Sequence, residues 1–302
     1  MKEKIAILGA TGFLGSNIIR LFQQKNLDIL ACSQHGGIID NLKIDKVDLT
    51  DYIELNNWIV NESITTLLYL SSKVPASFLS TNRELFEINM SMHKNILDIW
   101  TRHKFHLVYS SSCSVYLPNS PLPWREDSGT FPDNYYTLSK LMGELLFCKE
   151  HSSSKIPLSI LRINAPYAID NPRKTVINFF IEHALNGEDL MLFGDGSREQ
   201  DYIYIKDISS AFWCAYTQRK SGIYNIASGE TVTMKELAEK IIYLTNSESK
   251  IVFSDKPDHF QDQKVAIDIS KSRKILGFSP CYSLDEGLRD CIDQYRKKKF
   301  QG

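Results

Sequence analysis

The sequence predicts an α/β chain: a doubly wound parallel sheet with a smaller C-terminal α/β domain. Three observations predict it. Short apolar runs alternate with amphipathic stretches through the first half of the chain. A glycine turn, Gly9-Ala10-Thr11-Gly12-Phe13-Leu14-Gly15, separates the first run from the first amphipathic stretch. The 302 residues, 43% hydrophobic and 24% charged, have the length and balance of about two globular domains.

Each element can be justified in order. Residues 5–8 are continuously apolar, as a parallel strand buried on both faces requires. Leu14, Ile18, Leu21 and Phe22 then recur at helical spacing. Residues 27–32 read as a second strand, 46–49 as a short third and 66–70 as a fourth, with a helix over 52–60 before the fourth. A long helix is expected over 84–100, a fifth strand over 105–110, and a helix over 135–149 with Asp133 or Asn134 as its N-cap. Residues 158–163 read as a sixth strand. Right-handed crossovers would then cover both faces of the sheet. After Ala165 the rhythm loosens around Pro166, Pro172, Gly187, Gly194 and Gly196, with a helix over 176–186. The expected division is therefore 1–165 and 166–302, with about 203–227 returning to the first domain.

Composition excludes several classes. Lysine plus arginine number 35 against 36 acids, so there is no basic footprint for nucleic acid. The one dense basic run, Arg296-Lys297-Lys298-Lys299, reads as a solvated C-terminus. Cys32, Cys113, Cys148, Cys214, Cys281 and Cys291 form no CxxC pair and have no histidine at zinc spacing. They read as scattered reduced thiols of a cytoplasmic protein, and no metal is expected. There is no signal-peptide core and no apolar run near ~18 residues for a membrane span.

The glycine turn carries the first functional expectation. Gly9, Gly12 and Gly15 suit a tight turn, close approach to a phosphate, and close helix–strand packing. The helix N-terminus behind them, with Thr11, Phe13 and Leu14, offers free amides and a positive dipole end to a pyrophosphate. A dinucleotide cofactor is expected. After the second strand come Ser33, Gln34 and His35, with no acid until Asp40. A carboxylate there would bond the ribose hydroxyls of NAD, and its absence removes repulsion against a 2′-phosphate. Ser33, Gln34 or His35 can bond that phosphate, although no arginine is at hand. NADP is slightly favoured over NAD. Asp48 and Leu49 are placed to flank the adenine, and Leu70, Ser71 and Ser72 to line the cofactor path.

Tyr136 and Lys140 carry the second. They stand four apart on one helical face. Lowering a phenol by ~3 units from its reference near ~10 requires roughly 4 kcal/mol. An ammonium at about 4–5 Å and an effective dielectric of ~20 supplies roughly 3–4 kcal/mol. Such a tyrosine can trade protons near neutral pH, as carbonyl reduction or alcohol oxidation requires. Ser112, ending the run Ser110-Ser111-Ser112, is placed to hold the reacting oxygen beside it.

With these residues the chain resembles an extended short-chain dehydrogenase/reductase of the NAD-dependent epimerase/dehydratase family. The resemblance covers essentially the whole chain. It continues through Asp48-Leu49-Thr50-Asp51, Ser110-Ser111-Ser112-Cys113-Ser114-Val115-Tyr116 and Tyr136-Thr137-Leu138-Ser139-Lys140. Phe193-Gly194-Asp195-Gly196-Ser197, Asp201-Tyr202-Ile203-Tyr204-Ile205 with Asp207, Tyr224-Asn225-Ile226-Ala227-Ser228-Gly229, and Leu276-Gly277-Phe278 with Pro280 complete it. It implies a Rossmann domain that binds NAD or NADP, and a C-terminal domain for a nucleotide-sugar substrate. Tyr136 would be the acid/base. Lys140 would bind the nicotinamide ribose and tune Tyr136, and Ser112 would hold the sugar oxygen. Asn89 matches an asparagine near the nicotinamide. Asn164, Val176, Arg198 and Gln200 fall on the substrate side. A homodimer through the helices over 84–100 and 135–149 is also implied, with Phe86, Met90, Leu141, Leu145 and Leu146 as its apolar positions.

Departures narrow the reaction. Family dehydratases carry an acidic pair right after the serine or threonine, where this chain has Cys113 and Ser114. Members similar to GDP-fucose synthase place a cysteine at the position of Ser114, one residue from Cys113. Gln200 stands where many members have an arginine, with Arg198 nearby. Ala165-Pro166-Tyr167-Ala168 replaces an asparagine-containing motif, with Asn164 one place earlier. Two reactions at C4 remain: NADPH-dependent reduction of a 4-keto-6-deoxy nucleotide sugar, and 4-epimerisation with tightly held NAD. The absent acid after the second strand favours the first. A non-catalytic NAD(P)-binding regulator is the remote alternative, since a regulator has no need of Ser112, Tyr136 and Lys140 together.

Overall fold

The computed structural model describes residues 3–60, 62–75, 82–118, 120–258 and 260–301. Strand β1 (Lys4–Leu8) passes through the glycine turn into helix α1 (Phe13–Gln24) and on to β2 (Asp28–Ser33). A hairpin of β3 (Gly37–Ile39) and β4 (Leu42–Lys46) comes next. Then come α2 (Tyr52–Val60), β5 (Ile64–Tyr69), α3 (Arg83–His103), β6 (His106–Ser112), α4 (Tyr135–Ser154) and β7 (Leu158–Ile163). The rest of the chain holds β8 (Pro166–Tyr167), α5 (Val176–Asn186), β9 (Leu190–Leu192), β10 (Glu199–Gln200), β11 (Ile203–Tyr204) and α6 (Ile205–Gln218). It ends with β12 (Gly222–Ile226), β13 (Val232–Thr233), α7 (Met234–Thr245), β14 (Ile251–Phe253) and α8 (Leu284–Gln301).

Eight strands form one sheet in the order β12-β7-β6-β5-β1-β2-β4-β3. Every pairing in it is parallel except β3 against β4. Strand β1 lies between β2 and β5, so the chain leaves it in opposite directions and a crevice opens at its carboxyl end. Successive side chains on β1 enter opposite cores. Ile5 and Ile7 pack with Ile18, Phe22, Ile208 and Phe212 of α1 and α6. Ala6 and Leu8 pack with Leu55, Ile96 and Phe147 of α2, α3 and α4. Burial on both faces explains the unbroken apolar run.

The expected third strand over 46–49 is corrected. The strand beside β2 is β4, and it ends at Lys46. Ile39 pairs with Leu42, leaving Asp40 and Asn41 as a two-residue turn with φ of +44° and +69°. That pair of left-handed residues matches the twist of a tight hairpin, and Asp and Asn tolerate it. Val47 to Leu49 then become a loop on the crevice. Strand β12 joins the first sheet in parallel beside β7. Outside that sheet, β8 pairs with β11, β9 with β14, and β10 with β13. Helices α5, α7 and α8 cover this part through Ile177, Ile181, Leu237, Ile241, Leu288 and Ile292.

Candidate functional site

One cleft of about 1230 Å³ runs along the carboxyl edge of the sheet. That exceeds the roughly 300–1,000 Å³ of a site for one drug-sized ligand. The glycine turn forms one end. Gly9 N and Ala10 N both donate to Cys32 O at 3.0 Å, pinning the turn to β2. Gly9 has φ +87°, and a Cβ there would lie 2.9 Å from Ser71 N. A Cβ on Gly15 would lie 2.3 Å from Gly9 O. Glycine is therefore required at the first position by backbone conformation and at the second by helix–strand contact. Helix α1 starts with Gly12 as N-cap, with no side-chain cap bond and no acid in its first turn. Thr11, Gly12, Phe13 and Leu14 line the cleft, where the helix end offers free amides and a positive dipole end to an anion.

The other walls complete that end. Ser33 is buried at the end of β2, lines the cleft, and its hydroxyl has no hydrogen-bond partner. A hydroxyl without a partner beside the cleft can turn to a ligand oxygen. Asp48 lines the cleft with its carboxylate on Thr50 N and Oγ, both at 2.8 Å. Leu49 is held by Asn95, which donates to its carbonyl at 3.0 Å. Leu70, Ser71 and Ser72 line the floor, with Leu70 N on Leu8 O at 3.0 Å. The bare helix end, the crowded glycines and the orphan hydroxyl fit a dinucleotide.

Helix α4 supplies the middle of the cleft. Asn134 caps it, accepting from Tyr136 N and Thr137 N at 3.0 Å. Tyr136 and Lys140 sit one turn apart and both line the cleft, with Lys140 Nζ 5.8 Å from the Tyr136 ring centre. Lys140 is buried and donates to Ser110 O at 2.7 Å. Gly143 allows this close approach: a Cβ there would lie 2.7 Å from Tyr109 Oη. Ser112 Oγ shares a 2.7 Å hydrogen bond with Ser114 Oγ.

Burial dominates the electrostatics. It pushes Lys140 down to about 7, against the opposing charge of Glu144 one turn on. It pushes Tyr136 up to about 12, against the Arg173 guanidinium. The expected lowering of the Tyr136 phenol by Lys140 is thus corrected for the protein by itself. The ammonium is directed at the Ser110 carbonyl, and desolvation of the phenolate outweighs the nearby positive charge. Glu144 is itself buried, ion-paired to Arg162 at 2.6 Å, and accepts from Ser111. Behind Lys140, burial holds the His93 imidazole down to about 3, so it stays neutral between Tyr69 and Ser139 O.

Two expected site residues lie elsewhere. Asn89 is buried behind the wall, accepting from Lys73 N at 2.8 Å and donating to Lys73 O and Ser139 Oγ at 3.0 Å. Its amide is filled by protein partners, so it shapes the wall through Lys73. Val176 begins α5 and packs against the core rather than lining the cleft. At the far end Asn164, Arg198 and Gln200 do line it. Arg198 pairs with Asp258 at 3.5 Å. Gln200 Oε1 accepts from Asp201 N at 3.0 Å and Asn164 Nδ2 at 3.3 Å. Three cations in the cleft, Lys73, Arg173 and Lys174, have no counterpart among the sequence expectations, because basic residues in loops carry no spacing signal. Lys73 Nζ donates to Gln34 Oε1 at 2.7 Å, and Arg173 Nη2 to Val74 O at 2.6 Å. Among the described residues, no three His, Cys, Asp or Glu are grouped to hold a metal ion, and no helix is long and apolar enough to cross a membrane.

Comparison with known proteins supplies the family and supports the fold. The model of the NAD dependent epimerase/dehydratase family matches residues 5–227. A dTDP-4-dehydro-6-deoxyglucose reductase of Escherichia coli is 27% identical, covering 98% of this chain and 99% of its own. A UDP-N-acetyl-alpha-D-glucosaminuronate decarboxylase of Bacillus cytotoxicus is 26% identical over 98% and 99%. The crystal structure of Thermotoga maritima UDP-glucose 4-epimerase with UDP-glucose superposes with a TM-score of 0.88 at 21% identity, over 98% of this chain and 99% of that one. The chain belongs to the NAD dependent epimerase/dehydratase family, enzymes of the extended short-chain dehydrogenase/reductase type that act on nucleotide sugars.

Proposed function

We propose that this chain is an NADP-dependent reductase acting at C4 of a 4-keto-6-deoxy nucleotide sugar. The observation that carries the reading is the pair of residues next to Ser112. Cys113 is fully buried with its thiol on Arg162 O at 3.2 Å, and burial pushes that thiol well up. Ser114 is bonded to Ser112. Neither position offers a carboxylate to eliminate water, so proton transfer falls to Tyr136.

The nicotinamide cofactor, when bound, supplies the hydride. The glycine turn and the N-terminus of α1 bind its phosphates. Ser112 Oγ donates to the ketone oxygen and orients it. Tyr136 donates its phenolic proton to that oxygen as negative charge grows there. Burial keeps Tyr136 protonated at neutral pH, at about 12, so it enters the reaction as a phenol. Lys140 would leave the Ser110 carbonyl to bind the nicotinamide ribose. Asn164, Arg198 and Gln200 hold the nucleotide of the substrate. Arg198 must exchange Asp258 for a phosphate to do so.

The second reading is a nucleotide-sugar 4-epimerase that retains NAD, and the volume of the cleft favours it by leaving room for a ketose to turn. A non-catalytic regulator is disfavoured by Ser112, Tyr136 and Lys140 sharing one cleft. The six free thiols support a cytoplasmic protein. A homodimer through α3 and α4 is supported by Leu145, which is 56% exposed, and by Phe86, Met90, Leu141 and Leu146, none of which is fully buried.

The deciding experiment denatures freshly purified protein and identifies the released nucleotide by mass and stoichiometry. Near-stoichiometric NAD selects the epimerase. Empty protein that prefers NADPH over NADH supports the reductase. Protein that binds neither removes the dinucleotide assignment.

A further inference from the structure

We propose that Lys73 reads the 2′-phosphate of the cofactor, and that with Ser33 and Gln34 it makes the cleft selective for NADPH. The proposal rests on the dinucleotide reading of the cleft and adds the residue that sets its specificity. Lys73 leaves the end of β5 on the side of the cleft opposite β2, yet its ammonium meets Gln34, the residue after β2, at 2.7 Å. Ser33, Gln34 and Lys73 all line the same cleft. The Ser33 hydroxyl is buried there without a partner, in a residue only 6% exposed. A cation and an amide therefore meet where β2 ends, beside a serine whose partnerless hydroxyl can turn to a ligand, at the position where this sheet type meets the adenosine ribose.

The surrounding charges agree. Asp40, the first acid after β2, is turned to Arg20 at 3.3 Å in the hairpin. The Asp48 carboxylate accepts from Thr50. No acid among the described residues lines the cleft between Ser33 and Val47. The Lys73 backbone is fixed at both ends, its N–H donating to Asn89 Oδ1 at 2.8 Å and its carbonyl accepting from Asn89 Nδ2 at 3.0 Å. The start of the side chain is thereby fixed, and the exposed ammonium reaches the Gln34 oxygen. A phosphate dianion suits such a point charge, which can leave the neutral Gln34 oxygen at little cost. A bare 2′-hydroxyl gains much less from it.

The test titrates NADPH and NADH against the full chain by fluorescence, with 2′,5′-ADP and 5′-AMP as competitors. The proteins are wild type, Lys73→Met and Lys73→Arg. Lys73 is exposed, and NADH affinity reports whether the cleft is intact in each variant. Wild type should bind NADPH more tightly than NADH, by a margin that shrinks as salt rises. Lys73→Met should weaken NADPH and 2′,5′-ADP by about tenfold or more while changing NADH by less than about twofold. Lys73→Arg should keep the preference. A wild type that prefers NADH, or a Lys73→Met variant that weakens both cofactors alike or neither, overturns the proposal and leaves the dinucleotide reading standing. Wild type that binds neither cofactor overturns both.

Discussion

Tyr136 and Lys140 line one cleft, and burial drives each toward its neutral form: the phenol up to about 12, the amine down to about 7. The two shifts have different consequences. For Tyr136 the neutral form is the proton donor, so replacing it removes chemistry and not binding. Tyr136→Phe should lower kcat on a 4-keto nucleotide sugar by roughly 10²–10⁴ while leaving cofactor affinity within about twofold. Steady-state kinetics beside a cofactor titration checks this, and undiminished turnover would remove Tyr136 from the reaction. For Lys140 the shift is a statement about stability. Its folded value near 7 lies below the unfolded value near ~10.4, so between them the unfolded chain binds more protons. This group therefore adds stability as pH rises from 7 to 10. Lys140→Met deletes that dependence. Urea unfolding at pH 7 and pH 9.5 should show the variant gaining on wild type at the lower pH, and a pH-independent difference would place the amine in water.

At the scale of elements, the Glu144–Arg162 pair ties α4 to β7 beneath the reacting groups. Both side chains are almost wholly buried, and Glu144 also accepts from Ser111 of β6. Removing one partner leaves a buried charge uncompensated. Glu144→Gln should destabilise the fold by about 3–5 kcal/mol, and pairing it with Arg162→Met should recover much of that loss in urea unfolding. A loss below about 1 kcal/mol for Glu144→Gln would mean that water reaches the pair. The same scale separates what a sequence can reveal from what it cannot. Strand β1, helix α1 and helix α4 are legible because each is marked by a local pattern: a doubly buried run, a glycine turn, a cap at Asn134. The β3–β4 hairpin is not, because its strands are short and its signal is two residues, Asp40-Asn41, in a stretch that also reads as cofactor contacts. Asn89 lies on a helix face as expected, but which neighbours fill its amide depends on how α3 meets α4 and the loop after β5. Lys73 and Arg173 reach the cleft from loops, so their place in it comes from tertiary packing and not from spacing.

Over the whole molecule, one apolar cluster joins α1 and α6, on one face of the sheet, to α5, α7 and α8 of the C-terminal part. Residues as distant in sequence as Ile18 and Ile292 belong to it. The cleft walls are bridged as well, because Arg173 from the loop before α5 donates to Val74 O after β5 at 2.6 Å. A shared core of this kind couples the two parts, so heating should unfold them together rather than in sequence. A dinucleotide bound at the glycine turn should then protect the whole chain, including elements it never touches. At a hundred times its dissociation constant the preferred cofactor should add about 2.7 kcal/mol. For a chain of this size that is a rise in Tm of about 4 °C. Scanning calorimetry with and without NADPH tests the coupling directly. A single transition that moves as one is the expected outcome. Two transitions, of which the cofactor shifts only the one belonging to the glycine-turn half, would mean that the C-terminal helices fold on their own despite the shared core.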